Sequence, residues 1–169
     1  MIRHTIFALA AAFALSARAA DPSAIATLAS EWAEAQSAQS LAQGAALTRT
    51  QVAMAQSVGV VHPSKVRLLL VDELPAPDHP ALVAAAGRIG LMPQAADGMT
   101  LGYAVLIRRD AEKDEKLLRH ELRHVAQYES RGGIRPFLAE HIPALLRFGY
   151  AASPFERDAR AHEGGKAAR

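Results

Sequence analysis

The chain has 169 residues, half of them hydrophobic, and a formal net charge of +2. It contains no cysteine, which excludes disulfide staples, thiolate metal ligands and a thiol nucleophile. The small excess of positive charge makes no case for nucleic acid or an anionic membrane surface, because Arg3 and Arg18 belong to an N-terminal leader that holds no acid.

That leader starts Met1-Ile2-Arg3-His4, runs on as an apolar stretch to Leu15, and reaches Ala17-Arg18-Ala19, the A-x-A pattern of a cleavage site. A signal peptide is expected over residues 1–19, since the apolar run is too short to span a bilayer comfortably. Export to the periplasm or beyond follows, with no stable membrane association after cleavage. Residues 20–163 are enough for one domain with its own core. Residues 164–169 have little to pack and are expected to form a disordered tail.

Asp21-Pro22-Ser23 reads as a helix start, and helical spacing of Ile25, Leu28, Ala29 and Trp32 carries it to about Gln43. Trp32 is read as a packing anchor. Gly44 punctuates, and a second helix is expected from about Leu47 to Ser57. Val66 to Asp72 is a short apolar run expected to be a buried strand. Pro75, Pro77 and Pro80 break regular structure before a short helix over Ala81 to Ile89. Gly90 to Gly98 reads as a loop, and Met99 to Arg108 as a second strand. A helix starts in Asp110 to Lys116, with acids in its first turn where the macrodipole favours them. After Gly132-Gly133, Ile134 to about Phe148 is helical with an interruption near Pro143. Phe155 to about His162 is a last short helix.

The chemistry sits in the helix of Lys116 to Gln127, which contains His120-Glu121-Leu122-Arg123-His124, the HExxH pattern. Positions i and i+4 share a helix face, so His120 and His124 can aim at one zinc ion. Glu121 lies beside that ion without ligating it and can take a proton from an attacking water. Leu117, Leu118, Leu122 and Val125 form an apolar stripe, so the helix is partly buried. Buried histidines one turn apart are costly without a partner such as a metal. Arg119 and Arg123 depart from the uncharged flanks usual for such a helix. Gln127, one turn past His124, is placed to hydrogen-bond around the site.

A catalytic zinc takes three protein ligands and leaves one position open. A third histidine six residues after the second is excluded, because that position is Ser130. Glu140, His141, Glu156, Asp158, His162 and Glu163 remain as candidates. His141, Tyr128 and Tyr150 are candidates for stabilising an oxyanion.

His120-Glu121-Leu122-Arg123-His124-Val125-Ala126-Gln127, with Pro154-Phe155-Glu156-Arg157-Asp158-Ala159 downstream, resembles the gluzincin branch of the zincin metallopeptidases. It is similar in particular to small bacterial zincin-like domains with HELxHVxQ and a later PxExxA segment. The resemblance covers residues 99–162. It implies an α+β, mostly helical, zincin-like minimal domain with a small sheet packed on the HExxH helix. It implies Zn2+ held by His120, His124 and Glu156, with Asp158 and His141 as the alternatives to Glu156, and Ala159 as the small residue where two helices approach. It further implies Glu121 as general base, a strand over Thr100 to Arg108 at the edge of the cleft, and a peptide or protein substrate whose amide bond is hydrolysed. The alternative expectation is a zincin-like domain that binds zinc for a structural or interaction role and cuts little or nothing.

Overall fold

The computed structural model describes residues 21–90 and 96–164, so the leader over residues 1–19 and the tail beyond Gly164 lie outside the described residues. The fold is α+β and mostly helical, with six helices around one small mixed sheet among the described residues. No helix among them is long and apolar enough to cross a membrane.

Helix α1 spans Pro22–Gln43, with Asp21 as its cap and Pro22 in its first turn. Its buried face is built from small residues, Ala26, Ser30, Ala33, Ser37 and Ser40, which let a neighbouring helix come close. Ser37 donates to the Leu101 carbonyl at 2.8 Å and so ties α1 to the sheet. Strand β1 is only Ala45–Ala46, antiparallel to β2 (Arg67–Val71). Between them α2 covers Arg49–Ser57, opened by a reciprocal capping box of Thr48 and Gln51. Helix α3 (Pro80–Ile89) crosses over to strands β3 (Gly98–Leu101) and β4 (Ala104–Arg108). The strand order is β1-β2-β4-β3, with β2 and β4 parallel and the other pairs antiparallel.

Two expectations change here. The stretch from Met99 to Arg108 is a hairpin of two strands, because Leu101 pairs with Ala104 and Gly102 turns the chain at φ +65°. A two-residue hairpin loop with glycine first needs that positive φ. The edge strand beside the motif helix is therefore β3, while β4 runs through the middle of the sheet. The buried strand is also β4, whose Ala104, Val105, Leu106 and Ile107 are all covered, whereas every residue of β2 is half-buried. Burial on both faces explains why β4 is continuously apolar. Val105 and Ile107 face α2 and the motif helix; Ala104 and Leu106 face α1 and the helix that follows the motif.

The motif helix α4 is Glu115–Arg131, starting later than the acidic stretch before it because Asp114 caps it by accepting from the Lys116 and Leu117 amides. Gly132, left-handed at φ +85°, ends it. Helix α5 runs from Ile134 to Phe148 straight through Pro143, where an interruption was expected. Buried side chains on both sides of the proline, Phe137 and Leu138 before it and Leu145 after it, hold the helix on course despite the lost backbone bond. Helix α6 is Pro154–Ala161, and its fully buried Ala159 lies on the face where α6 packs on α4. Trp32 packs against the Phe137 cluster.

Candidate metal centre

One turn of α4 and the first turn of α6 meet at three side chains. His120, His124 and Glu156 are buried, and their ligand atoms all lie within 4.8 Å of one another. The Nε2 atoms of His120 and His124 are 3.1 Å apart. Glu156 places Oε2 3.4 Å from His120 Nε2 and Oε1 3.5 Å from His124 Nε2. Zinc bonds of about 2.0–2.1 Å at tetrahedral angles set ligand atoms about 3.3 Å apart. The three contacts are of that size, with Glu156 reaching the two rings through different oxygens.

The protons decide what the triangle can hold. Both rings are engaged at Nδ1: His120 with Glu163 Oε1 at 3.0 Å, His124 with Gln127 Oε1 at 2.9 Å. A carboxylate and an amide oxygen only accept, so each Nδ1 carries a proton, and in the neutral ring Nε2 is the lone pair turned inward. In the neutral rings two lone pairs and a carboxylate then converge, with an Arg160 guanidinium nitrogen 3.9 Å from Glu156 Oε2. Glu156 Oε2 is buried without a hydrogen-bond partner. Such a set is suited to holding a cation.

At Glu156, burial pushes the carboxyl up, but the adjacent rings of His120, His124 and His141 outweigh it and hold the group at about 2. At His120, burial works against the charged form, yet Glu156, Glu121 and Glu163 raise its pKa above the usual histidine value. The pocket draws positive charge.

Glu121 points elsewhere. It is buried, and its Oε2 accepts from Thr100 Oγ1 at 2.7 Å across the gap to β3. A Cβ on Gly98 would sit 2.7 Å from the other oxygen, so only glycine leaves room for this carboxylate. A cleft of about 550 Å³ opens beside it, lined by Gly98, Lys116, His120, Glu121, Tyr150 and Arg160. The His120 ring therefore borders this cleft.

The remaining candidates fall into place. Asp158 faces away from the triangle and pairs with Arg123 at 2.7 Å. His141 Nε2 is 3.7 Å from Glu156 Oε1, behind the carboxylate, and the ring lines an apolar cavity of about 180 Å³ instead of the cleft. Its pKa is lowered to about 4, first by burial and then by His124. Glu140 pairs with Arg131 at the surface, and His162 Nδ1 bonds the Asp158 carbonyl at 2.8 Å. Tyr128 is spent in the core, donating to the Thr100 carbonyl at 3.2 Å. Tyr150 lines the cleft, its phenol pKa raised by burial and by the carboxylates of Glu156 and Glu121. Gly98 and Thr100 were not singled out in the sequence. A glycine opening a strand is a mark of close backbone approach and was the available signal.

A family model described as the eCIS core domain matches residues 92–132, about a quarter of the chain. The described part of that stretch contains the hairpin β3–β4 and α4 with both histidines, and it stops short of Glu156. No curated protein and no solved structure matches the chain.

Proposed function

We propose that the protein is a zinc-dependent metallopeptidase of the gluzincin type, exported by its leader and acting on peptide or protein substrates in the periplasm or outside the cell. The observation that carries this is the convergence of two imidazole Nε2 atoms and a buried carboxylate, whose Oε2 has no hydrogen-bond partner, beside an open cleft, with a second carboxylate, Glu121, held next to them and outside the triangle. His120, His124 and Glu156 would hold the ion. Zinc bound there supplies Lewis acidity to a carbonyl and lowers the pKa of water.

The residues of the chain do the rest. Glu121 accepts a proton from the attacking water and returns it to the leaving nitrogen. Thr100 and the bare backbone of Gly98 fix where that carboxylate sits. The half-exposed start of the edge strand β3, Gly98 and Met99, is the part open to main-chain hydrogen bonds from an extended peptide. Tyr150, from the far wall of the cleft, is the donor available to a developing oxyanion.

A second reading rests on one observation. Glu121 already has a partner in Thr100, so it has a packing role that needs no catalysis. On this reading the domain binds zinc for structure or for recognition. Metal content and cleavage of a quenched fluorescent peptide library separate the two. The proposal expects about one zinc per chain, lost in Glu156→Ala, and cleavage that drops at least ~100-fold in Glu121→Gln while zinc stays bound. Zinc without cleavage by wild type moves the assignment to the second reading. No zinc after reconstitution sinks both.

A further inference from the structure

Arg123 lies inside the HExxH sequence, where a charged side chain has no part in holding a metal. The structure gives it one task. Its Nε donates to Asp158 Oδ2 at 2.7 Å, one terminal nitrogen donates to Asp158 Oδ1 at 3.2 Å, and the other caps the Val58 carbonyl at 2.9 Å. This is a two-pronged grip of α4 on α6, two residues past Glu156. Gln127 joins the same carboxylate: its Nε2 donates to Asp158 Oδ2 at 2.7 Å and to the Phe155 carbonyl at 3.0 Å. With two acceptors on its nitrogen side, the amide has one orientation. A flipped Gln127 would set its oxygen against a carboxylate and a carbonyl. Its Oε1 therefore faces His124 Nδ1, at 2.9 Å. That oxygen can only accept, so a proton of His124 sits on Nδ1, and the neutral ring turns a bare Nε2 toward the triangle.

We propose that Arg123, Asp158 and Gln127 form a positioning relay that fixes the ring and tautomer of His124 and, through the same carboxylate, the seat of α6 under Glu156. Two of the three metal-facing side chains are thus set by one buried-edge ion pair. Asp158, a candidate ligand by its place in the sequence, acts instead as the joint between the two halves of the site. The proposal deepens the zinc-centre reading and rests on it for the metal-affinity readout, while the tautomer readout stands without metal.

The test uses the full chain. Ring-nitrogen shifts of His124 are read by 15N NMR in the metal-free protein, and Zn2+ affinity by competition with a chromophoric chelator, in wild type, Asp158→Asn, Gln127→Met and Arg123→Lys. Asp158→Asn is nearly isosteric and Gln127→Met keeps the volume, so at least one folded variant reports. The expected wild-type pattern is Nδ1–H with a bare Nε2. Asp158→Asn and Gln127→Met mix the tautomers and weaken Zn2+ by about 10–100-fold each, the usual cost of losing a partner behind a ligand. The double variant loses no more than the worse single one, because both break one chain of bonds. Arg123→Lys, which keeps the charge without the fork, falls between. An unchanged His124 tautomer in Asp158→Asn, with Zn2+ affinity within about twofold of wild type, overturns the relay. A wild type that binds no Zn2+ but loses its tautomer in Asp158→Asn upholds the relay and overturns the metal reading.

Discussion

Helix α4 has two buried faces that are held in opposite ways. On one, Leu118, Leu122 and Val125 pack with Val105, Ile107 and Val66 in a cluster assembled without directional bonds. On the other, His120, Glu121, His124 and Gln127 are also shielded from water, yet every one is fixed by a side-chain hydrogen bond. The apolar face supplies stability in proportion to area and tolerates small shifts. The polar face supplies little net stability, because burying such groups costs what their bonds return. What it gains is a unique arrangement. The difference teaches that the same helix stores its folding energy and its chemistry on separate sides, so the two can be perturbed separately.

The largest stability effect is expected from the apolar side. Leu122 is fully buried at the centre of its cluster. Leu122→Ala should lower unfolding free energy by roughly 2–5 kcal/mol through lost transfer energy and a residual cavity. Urea denaturation in the presence of chelator measures it. Zinc affinity of the folded variant should stay within about twofold of wild type. A tenfold loss would break the comparison, by tying the apolar face to the ligands it backs.

The polar side responds to acid. His141 packs between Phe137 and Phe155 behind Glu156. Its folded pKa of about 4 lies below the ordinary 6.5, because burial and the neighbouring His124 and Arg131 disfavour the charged ring more than Glu156 favours it. The folded state therefore refuses a proton that the unfolded chain accepts. Stability from this residue is complete above pH 6.5 and is lost as the pH falls toward 4. The shift is worth about 3 kcal/mol across that window. His120 runs the other way, with a folded pKa above the ordinary value. The clean measurement is a difference: metal-free His141→Leu should show a stability curve shallower by one proton between pH 6.5 and 4. Equal slopes would mean that the ring titrates in the folded protein as it does in water.

The apolar face was largely legible in the sequence and the polar face only in part. Caps and periodicity located α1 and α6 to within a residue or two, because Asp21-Pro22 and Pro154 are local signals, while the start of α4 was read only as lying in Asp110 to Lys116. The hairpin was not legible as a hairpin, since Gly102 interrupts an apolar run without any polar turn residue. Strand β1, two alanines long, has no pattern to read. HExxH pointed to His120 and His124 by spacing alone. Glu156 needed a family resemblance, because two carboxylates two residues apart on one short helix look alike until their partners are known. The partner that separates them, Arg123 on Asp158, spans 35 positions in the chain. Glu163 reaches His120 across 43. Pairings at that range depend on how α6 folds back, and no local rule encodes it.

The finest test of the division is a single methyl group. Gly98 has no positive φ to justify glycine, so its backbone would accept alanine. Its neighbour would not. The added Cβ would meet Glu121 at 2.7 Å from Oε1, 2.9 Å from Cγ and 3.0 Å from Cδ. A flexible carboxylate could normally swing aside, but this one is pinned at its other oxygen by Thr100. Gly98→Ala must either break that bond or push β3 from α4, at about 1–3 kcal/mol. Gly87→Ala is the control: it lies in α3 with nothing within 4 Å of the new Cβ, and helix propensity alone should make it stabilising by up to about 1 kcal/mol. Zinc stoichiometry should stay at wild-type level in both variants, since neither glycine contacts the triangle, and peptide cleavage should fall at least ~10-fold in Gly98→Ala only. Cleavage retained beside a measured loss of stability would mean that the place of the Glu121 carboxylate matters for packing and not for proton transfer, and would favour the structural reading of the zinc centre.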